Sequence, residues 1–470
     1  MEKNIKKAER NTSRRPFIIV SLVAAILISG YAAYSYVLGN KRSVAIGTLS
    51  MLGKAANLLP MEADKKKELE VVGALTEKLT KADGKEWKFM VFLQNNMELR
   101  PGGGFLGQYA IVTVKDGQIT STFVEDANLL DQRITAKVAA PYPFKKMMGT
   151  KNWKFRDSNF SPDFPTNVEK AMYFYRLSGR SSGGFDGFVA INTDVFDHAL
   201  ELTGPLTVPG YNVTLTSADG SLKLEDIVEK RYILDSSLDT QNRKAILKTL
   251  TPLMAEKLFT VANIGKLAQF AHSELAQKNI MVHFSDPELQ KLVESVHWDG
   301  KVATDWQGDY LMVVDANLGA LKSDHWIKRE ITYDVDLTQP KPKVTLDILY
   351  THTATHGDWR TSDYHSYLRV YAPQGANLLE RQMVSYPNIG EELGKTFFGF
   401  TLHTLINDTT QAHIVYELPE NIDRDAYKLL IQKQSGVGNV PVTVRVRNEK
   451  GQFEQKATLE SELKFEFKDM

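Results

Sequence analysis

The sequence predicts a mixed α+β or α/β protein built in series. Its parts are a single N-terminal transmembrane helix, a helical stalk, an extracytoplasmic α/β domain and a C-terminal antiparallel β-sandwich. Three observations carry that reading. Phe17 to Leu38, FIIVSLVAAILISGYAAYSYVL, contains no charge. Between residues 86 and 303, strand-like and helix-like stretches alternate, as they do in an α/β or α+β domain. From 304 to 470, helical periodicity gives way to short alternating strands separated by turn residues, the pattern of a sandwich.

Charge sets the first part. Residues 1–16 carry Lys3, Lys6, Lys7, Arg10, Arg14 and Arg15 against Glu2 and Glu9. At ~1.5 Å per residue, a helix over 17–38 spans roughly the 30 Å of a bilayer's hydrocarbon. Lys41 and Arg42 close the run, and Tyr31, Tyr34 and Tyr36 lie toward its outer end, where aromatic side chains favour the interface. The basic flank stays cytoplasmic, so the expectation is a single-pass plasma-membrane protein with most of its chain outside. A cleavable signal peptide is the alternative. Its apolar core is usually ~7–15 residues and ends in small residues, whereas this run is longer and ends in tyrosines.

Residues 39–85 read as the stalk. Leu69, Val72, Leu75 and Leu79 recur at helical spacing, and a solvated amphipathic spacer explains them. The α/β domain begins with WKFMVFLQ, a strand with Phe89, Val91 and Leu93 on one face. FLGQYAIVTVKDGQITSTFVED is a hairpin turning at Asp116 and Gly117. Residues 127–163 are irregular and rich in Pro, Lys and aromatic residues. TNVEKAMYFYRLSG is a helix that Thr166 caps, Glu169 completes as a capping box and Gly179 ends. FDGFVAINTDVFDHALELTGPLTVPG reads as strand, short helix and Gly-Pro stop. SLKLEDIVEKRYIL, DTQNRKAILKTLTPLMAEKLF and ANIGKLAQFAHSELAQKN are amphipathic helices, IMVHF is a short strand and DPELQKLVESV a closing helix. Strand-like stretches then run from DYLMVVD to PVTVRVRNEKG.

The 57 basic residues balance the 57 acidic ones, which argues against nucleic acid as a partner. The chain has no cysteine, so disulfides, thiolate metal sites and cysteine nucleophiles are excluded.

RPGGGFLGQY, Arg100 to Tyr109, contains a literal G-x-G-x-x-G at Gly102, Gly104 and Gly107. A dinucleotide fingerprint needs a helix after the glycines, and here YAIVTV follows, with the alternation of a strand. A P-loop needs Lys and Ser or Thr after its last glycine, and here Gln108 and Tyr109 stand there. What remains is a glycine-rich strand entry. It is either a place where backbones cross closely or an anion nest, with Arg100 and the amides of Gly103 and Gly104 facing a ligand.

These residues also carry a resemblance. NNMELRPGGGFLGQYAIVTVKDGQI, SNFSPDFPTNVEKAMYFY, FDGFVAINTDVFDHALELTGPLTVPG, HFSDPELQKLVESVHWDG and YLMVVDANLGALKSDHWIKREITYDV resemble the domain of unknown function 4012 family, in order, from about 87 to 375. A second, scaffold-level resemblance is to the LytR-CpsA-Psr proteins. These move glycopolymers from a polyprenyl pyrophosphate carrier to the cell wall, with arginines on the phosphates and aspartates binding Mg²⁺ or assisting transfer. It implies Asp126 and Asp239 as catalytic candidates, and Arg100 and Arg243 as phosphate contacts. Arg243 is one place out of register, Ala245 replaces a second arginine, and a glycine replaces the early metal-binding aspartate. Mg²⁺ is implied only under that transferase reading.

Arg231 joins Arg243 as an anion-binding candidate, with surface ion pairs as the plainer account. RDSNFSPDFP sets Arg156, Asp157 and Asp163 in a loop between function and turn. His352 and His356, four apart in HTATH, sit ~13 Å apart on a strand and share no metal geometry. His198 reads as a boundary residue on an amphipathic helix. The sequence therefore leads to a cell-envelope module that binds glycopolymer or protein without catalysis. The alternative is a transferase, or a degenerate relative of one, acting on polyprenyl-phosphate-linked glycopolymer.

Overall fold

The computed structural model describes residues 62–180, 183–230, 245–258 and 263–468. The expected span at 17–38, its flanks, residues 39–61 of the stalk, and Arg231, Asp239 and Arg243 lie outside the described residues. Among the described residues, no helix is long and apolar enough to cross a membrane.

Helix α1, Ala63–Thr80, is not a solvated spacer. Val71 is buried in a cluster with Trp87, Phe284 and Trp298, and the expected stripe of Val72, Leu75 and Leu79 packs against it. The first region is a five-stranded sheet in the order β3-β2-β1-β4-β7. Its strands are β1 (Glu86–Asn95), β2 (Phe105–Lys115), β3 (Gln118–Asp126), β4 (Gly187–Asn192) and β7 (Ile280–Phe284). Only β1 and β4 run parallel; the other pairings are antiparallel, so the region is α+β. The β2–β3 hairpin turns at Asp116 (φ 48°) and Gly117 (φ 69°) as expected, with the two positive φ angles of a type I′ turn.

Both faces of β1 are buried, not one. Val91 and Leu93 pack beneath α5 (Asp194–Thr203) and α7 (Ala245–Leu258), while Met90 and Phe92 pack beneath α2 (Ala127–Arg133) and α4 (Phe164–Leu177). The stretch expected to be irregular holds α2, α3 (Tyr142–Met148) and a 3₁₀ turn at Phe155–Asp157. Asp163, not Thr166, caps α4: its carboxylate accepts from Thr166 N at 3.0 Å and Thr166 Oγ1 at 2.6 Å. Asp163 precedes Phe164 and Pro165, and a first-turn proline suits the missing N–H there. Hairpin β5 (Leu206–Val208) and β6 (Val213–Leu215), helix α6 (Gly220–Glu225), a π turn at Asp226–Lys230, α8 (Ile264–Ala276) and α9 (Pro287–Glu294) complete the region.

The second region is two six-stranded sheets around one core. The first sheet, in order, is β13 (Ser385–Glu392), β14 (Lys395–Thr404), β11 (Tyr364–Pro373), β8 (Asp309–Asn317), β16 (Ala426–Ile431) and β19 (Leu463–Lys468). The second is β12 (Asn377–Gln382), β15 (Thr409–Glu417), β10 (Lys343–His352), β9 (Ile327–Asp336), β17 (Val440–Asn448) and β18 (Gly451–Leu459). The expected sandwich is not wholly antiparallel. β8 pairs parallel with β16, and β9 with β17. The reason is topological. Of the four passages from the first sheet to the second, after β8, β11, β14 and β16, the one after β16 repeats the course of the one after β8.

Within this core, Asp309 and Asp315 both point inward from β8, since an even spacing keeps them on one face. Asp309 accepts from Tyr333 Oη at 2.6 Å and from Tyr427 Oη, and burial pushes its pKa up to about 6. Asp315 accepts from Arg329 Nε and Ser366 Oγ, each at 2.8 Å. These carboxylates tie the sheets together through groups that water cannot reach.

Candidate functional site

Open α/β sheets place ligands in the crevice beyond the carboxyl ends of parallel strands. Here those ends are Asn95 on β1 and Asn192 on β4, and the second region fills the space beyond them. Two of its sheet crossings, Leu318–Trp326 and Gln432–Asn439, close around the segment Asn95–Gly104. Asn317 N donates to Leu99 O at 2.9 Å and Asp324 N to Met97 O at 3.2 Å. From the other crossing, Gln434 Nε2 donates to Arg100 O at 3.1 Å, and Asn96 Nδ2 reaches Gly436 O at 3.1 Å. Ser435 Oγ donates to Lys278 O and accepts from Asn192 Nδ2. Lys433 is buried with its ammonium on Gln277 O, and burial pulls its pKa down to about 8.

The glycines answer to this contact. A Cβ on Gly104 would stand 2.5 Å from the Asn95–Asn96 backbone, and one on Gly436, at φ +79°, would strike the Gly103 carbonyl. Backbone therefore passes backbone here, and no nest opens at Gly103 or Gly104.

Arg100 corrects the sequence expectation most sharply. It is 1% exposed. Its guanidinium donates to Asn317 O at 2.5 Å, Leu99 O at 3.2 Å and Glu98 Oε1 at 2.9 Å, and lies 3.9 Å from Asp157. Asp157 lies 3.6 Å from Arg156, which lies 3.7 Å from Asp131. Arg156 and Asp157 are thus links in a ladder of alternating charge that runs from the buried Arg100 out to the half-exposed Arg156. Burial raises the pKa of Asp157, and that of Asp131 to about 7. Asp126 spends one carboxylate oxygen on capping α2, accepting from Asn128 N at 2.8 Å and Asn128 Nδ2 at 2.9 Å. Among the described residues, Arg100 and Asp126 do not assemble the donor set that the transferase resemblance implies for Mg²⁺. Among the described residues, no group of three or more His, Asp or Glu is placed to hold one.

Lys322, at the first crossing, binds Glu225 Oε1 and Glu229 Oε2, each at 2.8 Å. Burial alone would lower its pKa, but the two carboxylates outweigh that and raise it. His198 pairs with the buried Glu274 at 2.8 Å; that hydrogen bond raises its pKa to about 9 against the pull of burial. His352 is buried and bonds to Ser362 O and Ala354 N. What survives of the sheet-end crevice is a cavity of about 200 Å³, below the roughly 300 Å³ where small-molecule pockets begin.

The open space lies elsewhere along the same interface. A cleft of about 420 Å³ separates residues 141–170 from the outer face of β11, β13 and β14. One wall carries Tyr142, Trp153 and Phe160, and the other Tyr367 and Phe397. Phe160 and Tyr367 also belong to one apolar cluster with Phe144 and Leu318, which ties the two walls together. Polar groups stand among the rings. Lys170 Nζ lies 4.6 Å over Trp153, Asn388 Nδ2 donates to Tyr367 Oη at 2.9 Å, and Arg369 bridges Glu392 and Phe160 O. None of these residues was a sequence candidate. The signal available was the density of aromatic, proline and lysine residues in the stretch read as irregular.

The comparisons with known proteins bear on family and little else. No curated protein matches the chain. Among solved structures, the Lin1025 protein from Listeria innocua aligns at 12% identity over 46% of this chain and 80% of its own, with a TM-score of 0.25, too slight a likeness to bear on fold or function. The model of the family described as "Protein of unknown function (DUF4012)" matches residues 84–226, a shorter stretch than the resemblance read from the sequence. That stretch holds the β1–β2–β3 unit, the glycine segment and α4 through α6, and over it the chain matches the DUF4012 family.

Proposed function

We propose that this protein is a membrane-anchored, extracytoplasmic module that binds an envelope glycopolymer and does not turn it over. The observation that carries the proposal is the cleft of about 420 Å³ between the two regions. Flat aromatic faces offer apolar area to the C–H face of a sugar ring, while their polar edges and neighbours meet hydroxyls. Tyr142, Trp153 and Tyr367 supply the faces; Lys170, Asn388 and Glu392 supply the polar groups. The uncharged run at 17–38 behind a basic tail supports the anchor. The burial of Arg100 supports binding over transfer, because an arginine sealed beneath two crossings cannot hold a pyrophosphate.

The test is co-sedimentation of the full-length, detergent-solubilised protein with purified envelope polysaccharide. Tyr142 is 45% exposed, so Tyr142→Ala leaves the unfolding midpoint in place. The variant is expected to weaken retention by about tenfold or more, the scale of an aromatic anchor. Retention equal to that of the unaltered protein would end the cleft reading. Extraction of the protein from membranes by alkaline carbonate would end the anchor.

A further inference from the structure

A larger cavity, of about 460 Å³, opens in the second region and shares no residue with the cleft. Trp306 and Tyr310 at the entry to β8, Pro373 at the exit of β11, Lys395 at the start of β14, Pro419 and Lys428 line it. Lys395 is 4% exposed. Among the described residues, its ammonium has no carboxylate within ion-pair distance and no hydrogen-bond acceptor. Its one close partner is the ring of Tyr310, whose centroid is 4.7 Å away. The Tyr310 hydroxyl is committed to Gln432 Oε1 at 2.7 Å. Burial pulls the Lys395 pKa down, with Asp305 the opposing charge.

The turn before Lys395 fixes its place. Leu393 and Gly394 both take positive φ, 55° and 65°, the tight connection that sets where a strand begins. Lys395 thus has a buried stem and an ammonium that opens on the cavity, held only by a ring face and free to meet an anion. Lys428 adds a second cation to the wall. Asp423, the carboxylate on the wall, accepts through one oxygen from the backbone of Asp425 and Ala426.

We infer that this cavity binds an anionic saccharide unit, with its carboxylate or phosphate on Lys395 and Lys428 and its ring against Trp306. The volume and the aromatic and proline walls call for a body behind the anion, which a bare ion lacks. The inference goes beyond the cleft reading, and either can fail without the other.

The test titrates full-length protein in micelles with glucuronate, glucose 6-phosphate, glucose and inorganic phosphate, read by calorimetry. Both anionic sugars are expected to saturate the site, with glucose and inorganic phosphate weaker by at least about tenfold. Lys395→Met should erase the preference for charge, Lys395→Arg should keep it, and Tyr142→Ala should leave it unchanged. Glucose binding as tightly as the anionic sugars overturns the proposal, and so does a Lys395→Met protein that still prefers them. Inorganic phosphate binding as tightly as the sugars overturns the saccharide assignment. Should Lys395→Met not fold, Lys428→Met, at a half-buried position, gives the same reading. Loss of most of the preference supports the site, and an unchanged preference overturns it.

Discussion

The two regions of this protein meet twice, and the two meetings are built from opposite materials. At the ends of β1 and β4 the contact is backbone to backbone, with glycines at the crossing points and charge pairs sealed beside them. Between residues 141–170 and the outer face of β11, β13 and β14 the contact opens into a space lined by aromatic rings, with polar groups such as Lys170 among them. The first joint holds residues that look functional in sequence: Arg100 and the glycine run, with Asp157 beside Arg100. The second holds residues that look ordinary. Charged residues packed among glycines can mark where two folds are fastened together, and the place left open for a ligand can be rich in tyrosine and tryptophan.

The comparison can be broken at the fastened joint first. Lys322→Met leaves Glu225 and Glu229 buried without their cation, and the expected loss is about 3–5 kcal/mol of unfolding free energy. A denaturant midpoint within error of the unaltered protein would show that the joint does not hold the regions together. Gly436→Ala comes next. It places a side chain at positive φ against the Gly103 carbonyl, at a cost of roughly 3 kcal/mol. Gly438→Ala, with open space around the added Cβ, is the control and should be near neutral. At the open cleft, Tyr142→Ala should show the reverse profile, with an unchanged midpoint and weakened polymer binding.

The smallest effect is a pH dependence at His198. Its pKa in the folded protein, about 9, lies above the ordinary 6.5. The stability that its bond to Glu274 contributes is therefore complete below about pH 6.5 and lost as pH rises through about 9. The difference in midpoint between the unaltered protein and His198→Gln should shrink across that window. A difference that stays constant would remove the pair from the account.

Local features were readable in the sequence, and distant ones were not. The type I′ turn at Asp116 and Gly117 follows from two residues that tolerate positive φ, flanked by alternating apolar positions. Thr166 and Glu169 fit a capping box, but Asp163 followed by Pro165 fits better and caps α4 three residues earlier. Arg100 could not be placed from its neighbours. Its shortest hydrogen bond goes to a backbone carbonyl, that of Asn317, 217 residues away, and a carbonyl leaves no mark in side-chain chemistry. The parallel strand pairs depend on a later crossing that retraces the first, which no short-range pattern encodes. One wall of the cleft shows as aromatic density in 141–160, but the other comes from β11 and β14 and meets it only after folding.

The double crossing has a consequence for how the chain matures. Synthesis runs from the N-terminus, so β1, β4 and their helices exist long before Gly436 is made. Until then Asn96 lacks its bond to Gly436 O and the Arg100 carbonyl its donor from Gln434, so one side of the sheet end waits wet. The crossing from β16 to β17 acts as a latch. A protein cut short before residue 432 would lose β17 to β19 and also leave a charged, polar edge open on a region some three hundred residues upstream.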